Sequence, residues 1–277
     1  MAINNPAFRD PAFKPGGTTQ AMTAQQLEEL YRQPAGTSLG PEGYTPVVVP
    51  EGEAMTYEDT IVKSALSFGV MVAGAAIGWM TFGAAPWLWI AAGLVGFVLA
   101  LVNIFKKEPS PALILAYAGA QGIFLGGISA MYESMWQGIV IQAVLATVAV
   151  VGVTLALFAS GKIRASKKAT KIFLIAMVGY LAFSVLNIVL SLTGVVTNPW
   201  GLRGGEIFGI PIGLVLGVFV VIMGAYSLVL DFDFIQRGVQ NRAPKKLAWT
   251  AAFGIMVTVI WLYVEILRIL AILRGNN

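Results

Sequence analysis

The sequence predicts an all-α membrane protein, a bundle of seven transmembrane helices, and three observations carry that expectation. Hydrophobic residues make up 57% of the chain and charged residues 12%, whereas a soluble domain carries about 25% charged residues. From Ile61 onward, seven apolar stretches follow one another, each near the roughly 20 residues that cross about 30 Å of hydrocarbon. Basic residues gather in alternate gaps between those stretches.

Residues 1–60 precede the first stretch and contain seven of the thirteen prolines and most of the acids. That composition predicts a mobile cytoplasmic tail. Within it Thr23-Ala-Gln-Gln26 has capping-box spacing, and Leu27, Leu30 and Tyr31 share one face of a short helix ending before Pro34. Two readings stand: a transient helix, or a docking motif. The first apolar stretch begins too late for a signal peptide and carries no cleavage pattern.

The spans are expected near 61–82, 87–105, 112–131, 137–159, 171–193, 209–234 and 249–273, which makes 61–273 the transmembrane domain. Thr56-Tyr-Glu-Asp59 reads as the cap of the first. Gly83 to Trp87 makes the first turn, and Pro109-Ser-Pro111 separates the second span from the third. Eleven Lys and Arg residues fall after helices two, four and six: Lys106 and Lys107, the group from Lys162 to Lys171, and the group from Arg237 to Lys246. Arg203 alone occupies the loops opposite. The positive-inside rule therefore expects a multi-pass protein of the cytoplasmic membrane with its N-terminus in the cytoplasm. The partner that this charge implies is the lipid bilayer, not nucleic acid. Gly74 and Gly78, Gly122 and Gly126, and Gly213 and Gly217 are small pairs four apart, the spacing that lets helix backbones approach closely.

Composition also excludes chemistries. With no Cys and no His, thiolate metal sites, Ser-His triads and the usual neutral-pH proton relay are absent. The last span contains no lysine for a retinal Schiff base. The Gly-Asp context of aspartyl intramembrane proteases is missing as well. No catalytic constellation emerges, and the expectation is a protein that is not an enzyme and holds no cofactor.

The charges left at membrane depth are the candidate site. Asp231 and Asp233 close the sixth span and Glu265 lies inside the seventh, where a carboxylate costs about 2.5 to 3.5 kcal/mol on insertion scales. Two residues apart, Asp231 and Asp233 point about 200° from each other. Asp231 is the deeper, and Asp233 sits nearer the headgroups. Arg268 follows Glu265 by three residues, the spacing of an ion pair within one helix. Against that pairing stands a second reading, in which Asp231 and Glu265 approach each other, share a proton and repel when both lose it. Deprotonated, their oxygens are hard ligands that would hold calcium weakly.

At these residues the chain resembles the Bax inhibitor family, the transmembrane Bax inhibitor motif proteins with their bacterial YccA-like members. The resemblance covers 61–273 and leaves the tail unmatched. It rests on Ala116-Tyr-Ala-Gly-Ala-Gln-Gly-Ile-Phe-Leu-Gly-Gly-Ile-Ser129, on Asp231-Phe-Asp-Phe-Ile235, and on Trp261-Leu-Tyr-Val-Glu-Ile-Leu-Arg268. It implies a bundle with the last helix central and a pH-controlled calcium leak whose sensor is an acidic pair from helices six and seven, here matched by Asp231 and Glu265. Asp233 and Arg268 would modulate the pair, and Lys106 is the nearest candidate for the basic latch that some relatives carry on helix two. Stress tolerance and modulation of a membrane protease are also linked to the family, so a regulator that binds a membrane complex without conducting is the alternative. With helix seven entering the membrane near Trp249, Glu265 lies about 24 Å along it. Contact with Asp231 then requires that helix to begin as a cytoplasmic extension, breaking near Gly254.

Overall fold

The computed structural model describes residues 54–275 except Pro199 and Phe208. The helix expected in the tail lies outside the described residues. Seven helices are each long and apolar enough to cross a membrane: α1 (Tyr57–Thr81), α2 (Pro86–Phe105), α3 (Pro111–Met135), α4 (Ile139–Ala159), α5 (Lys167–Leu192), α6 (Ile212–Gln240) and α7 (Leu247–Gly275). All seven correspond to expected spans. The largest shift is in α6, which runs on through both aspartates to Gln240.

Local chemistry explains where the helices start. Thr56 caps α1, its hydroxyl accepting from the Asp59 amide at 3.0 Å and donating to the Asp59 carboxylate at 2.9 Å. Pro86 and Pro111 open α2 and α3, where a missing N–H is no loss. Ser166 caps α5 by accepting from the Ala169 amide. The start of α1 is also pinned to the α6–α7 turn. Met55 is 2% exposed, its amide donates to the Ala243 carbonyl at 2.7 Å, and Asp59 pairs with Lys245 at 3.1 Å. Residues 54–60, placed in the tail by composition, are thus part of the bundle.

Two kinds of contact set the packing. Between α1 and α3 the glycine pairs remove every atom that would hold the backbones apart. A Cβ on Gly78 would sit 2.1 Å from the Ile123 carbonyl oxygen, and one on Gly126 would sit 2.0 Å from that of Ala75. Around α7 the contact is broad: it packs against α1, α3, α4 and α6, and half of its most apolar stretch is buried, against none of that of α5. The last helix is therefore central. Tyr117 meets Phe253 edge-on at 5.1 Å, and the Tyr263 and Ser129 hydroxyls meet at 2.6 Å, which ties α7 to α3 inside the apolar core. At the end opposite the basic loops, a 3-10 turn (Gly201–Gly204) and a two-residue hairpin, β1 (Glu206–Ile207) with β2 (Ile210–Pro211), cover the bundle between α5 and α6.

Because the α1–α3 contact is backbone on backbone, it has no side chain that can yield. Gly126→Ala and Gly78→Ala are expected to lower the melting temperature in detergent, by the roughly 1 to 3 kcal/mol of an overpacked core. Gly69→Ala, on the same helix with nothing within 4 Å of the added methyl, should leave it unchanged.

Candidate functional site

The site grows out of the register between α6 and α7. Small residues on α6 receive large ones from α7: Gly213 faces Ile272, Gly217 faces Ile269, and Gly224 faces Leu262. Farther toward the basic loops Ser227 meets Thr258 and Asp231 meets Gly254. In each pair the residue numbers add to 485 or 486, so the helices run antiparallel without a slip. Helix α7 is continuous from Leu247 to Gly275. It does not break near Gly254.

That register gives the two acids separate surroundings. Asp231 accepts a hydrogen bond from the Thr258 hydroxyl at 2.8 Å, and the Ser227 hydroxyl lies 3.2 Å from the same threonine oxygen. A hydroxyl has one proton to give. Thr258 spends its proton on the carboxylate, so Ser227 donates to Thr258, and a directed chain of hydroxyls ends on Asp231. Gly254 makes room for the carboxylate, since a Cβ there would sit 2.9 Å from Oδ1. Among the described residues no cation is paired with Asp231.

Glu265 lies seven residues beyond Thr258, two turns and about 10 Å farther along the same face of α7. It is 2% exposed, and its Oε2 takes two hydrogen bonds. Arg268 bonds it through Nη1, and the Tyr180 hydroxyl of α5 donates to it at 2.8 Å. That phenol oxygen accepts in turn from Arg203 Nη2 at 2.9 Å and, more weakly, from Arg268 Nη1 at 3.4 Å. The Arg203 guanidinium also lies over the rings of Tyr180 and Phe183, 5.4 and 5.7 Å from their centroids.

The expected contact between Asp231 and Glu265 is therefore not formed, and the two cannot jointly ligate one calcium ion. The reason is depth. An unbroken α7 in this register carries Glu265 past Asp231, and Thr258 takes the facing position. Of the two readings of Glu265, the geometry has the ion pair with Arg268. Asp233 pairs with Arg237 at 2.8 Å, one turn away on the same helix, at the end of the bundle that carries the basic loops. Lys106 is exposed just past the end of α2 and forms no ion pair with either acid. Among the described residues no group of three or more Asp or Glu side chains is placed to hold a metal ion.

Sequence reasoning missed Ser227, Thr258, Tyr180 and Arg203. Serine, threonine and tyrosine are ordinary in apolar helices and give no signal alone. Arg203 did give one, as the single basic residue in its Gly-rich loop, but it entered only the count of loop charges.

A seven-helix bundle with a central last helix, one acid without a paired cation among the described residues and one acid ion-paired to an arginine defines a polytopic membrane protein built around ionisable groups at membrane depth. The chain belongs to the Bax inhibitor 1 like family, whose model matches residues 5–275. The match takes in most of the stretch before Ile61, which the motif resemblance had left out. No curated protein matches the chain.

Removing one partner of a buried ion pair strands the other, at a cost of about 3 to 5 kcal/mol. Arg268→Met should therefore lower the melting temperature in detergent by several degrees. The double variant Glu265→Gln with Arg268→Met should recover most of that loss, and a double variant no more stable than the single one would show that the pair is not energetically coupled.

Proposed function

We propose that the protein is a pH-responsive passive leak for calcium or other cations, and that Asp231 is the acid through which it responds. One observation carries this reading. Asp231 lies between the last two helices with a neutral hydroxyl as its hydrogen-bond donor and no cation paired to it among the described residues. A carboxylate in low dielectric must have its charge balanced, and here a proton or a passing cation is what can do so. Exchange between the two couples proton concentration to cation passage. Glu265, balanced by Arg268, serves as an anchor for α5 and not as the second half of the sensor. Family membership supports the reading, and the hydroxyl chain Ser227–Thr258–Asp231 supplies polar steps through an apolar interface.

The test is calcium flux into proteoliposomes between pH 6 and 8. Wild-type flux should vary with pH, Asp231→Asn should flatten the profile, and Thr258→Val should displace its midpoint without flattening it. Flux at background throughout that range for the wild type would refute the leak.

The second reading, a non-conducting regulator that binds a membrane protease or other membrane complex, draws on α5, none of whose residues is buried. Such a surface fits a partner helix as well as lipid. Co-purification of a partner that is lost on substitutions along α5, with no flux, would favour it.

We also infer a cytoplasmic membrane location with the basic loops in the cytoplasm, supported by the eleven basic residues on that side. Because the chain has no cysteine, single substitutions report sidedness cleanly. An impermeant thiol reagent added to intact cells should label Glu206→Cys and spare Lys162→Cys, and the reverse pattern would invert the topology.

A further inference from the structure

A cavity of about 300 Å³ opens at the end of the bundle opposite the basic loops, lined by Tyr132, Tyr180, Ser184, Asn187, Arg203 and Arg268 among others. Its charge is unbalanced. Two guanidiniums line it, while among the described residues the one carboxylate bonded to either, Glu265 on Arg268, is not part of the lining. Arg203 is 6% exposed, and its Nε is buried without a hydrogen-bond partner among the described residues. A buried guanidinium donor is left unsatisfied only at a substantial cost.

We propose that this cavity binds an oxyanion, a phosphate group carrying a single negative charge. One excess positive charge calls for a monoanion. The planar donor forks of two arginines match the tetrahedral oxygens of phosphate, and the Ser184 hydroxyl and the Asn187 amide line the same wall. Asn187 uses its carbonyl oxygen to accept from the Leu202 amide at 2.6 Å, which holds the loop bearing Arg203 against α5 and leaves the amide N–H₂ able to donate. Depth is compatible with two sources of the group. By the register with α6, Arg268 lies near Gly217, five residues from the start of that helix and so about 8 Å below its end. Both the phosphodiester of a lipid headgroup and free phosphate reach that level. The proposal is independent of the leak reading, because it is tested by binding and not by flux.

The experiment is a thermal-shift titration of the full-length protein in a neutral, phosphate-free detergent, with inorganic phosphate in one arm and phosphatidylglycerol in the other. Sodium chloride at matched ionic strength and a diacyl glycolipid without phosphate are the controls. Stabilisation by inorganic phosphate assigns a free anion, and stabilisation by phosphatidylglycerol alone assigns a headgroup site. Either result supports the cavity only if Arg203→Gln weakens the apparent affinity at least tenfold. Arg203→Lys, which keeps the charge and loses the fork, covers the case in which the glutamine variant does not fold, and should weaken binding severalfold. No shift beyond the controls in either arm, or a shift that both Arg203 variants leave unchanged, overturns the proposal.

Discussion

The antiparallel contact between α6 and α7 decides where the two acids at membrane depth, Asp231 and Glu265, lie. In a bilayer the apolar driving force between helices is weak, because lipid tails are as apolar as leucine, and close packing takes its place. Gly213, Gly217 and Gly224 supply that packing by admitting Ile272, Ile269 and Leu262 against the α6 backbone. Once those three contacts are made, the register admits no slip. Asp231 must face Gly254 and Thr258, and Glu265 must fall two turns beyond.

Two acids in one helix pair thus meet the same energetic problem with different solutions. Glu265 has a guanidinium one turn away and a phenol from α5, so its charge is neutralised within the bundle. Among the described residues Asp231 has only a threonine hydroxyl, itself held by a serine. A hydroxyl satisfies one oxygen of a carboxylate but balances no charge. The distinction separates a residue that holds the fold from one that can exchange its counter-charge, and it rests on what lies opposite, not on how apolar the surrounding sequence is.

The sequence made the spans, the glycine contacts and the Glu265–Arg268 pair readable because each is local: a run of apolar residues, a spacing of four, a spacing of three. Even the depth mismatch between Asp231 and Glu265 followed from counting 1.5 Å per residue. What counting left out was the continuity of α7. Gly254 looked like a point of breakage, whereas its missing side chain is what accommodates the Asp231 carboxylate. The partners of both acids were hidden for a related reason. Thr258 is 27 residues from Asp231, and Tyr180 is 85 from Glu265. Nothing in the composition of either segment distinguishes these hydroxyls from others that bond only to their own helix, as Thr147 does to the Ala143 carbonyl.

Helix α5 shows why a paired charge is worth retaining at that depth. It is half-buried along one stripe, through Phe173, Met177, Tyr180, Ser184 and Asn187, and buries none of its residues fully, so lipid competes for most of its surface. Packing along so narrow a stripe, with ring contacts from Phe173 to Tyr226 and from Tyr180 to Trp261, holds it weakly. The hydrogen bonds that fix it join Thr170 to Tyr226 near the basic loops, Tyr180 to Glu265 and the two arginines in the middle, and Asn187 to the Leu202 amide at the far end. Part-buried, such contacts meet less competition from solvent than surface ones, and three of them spread along the helix determine both its rotation and its height. The middle one is the strongest, because both an anion and cations meet on a single phenol oxygen. Glu265 therefore accounts for itself as the fastening point of a helix that packing holds along one stripe alone, and the acid left without such a duty is Asp231.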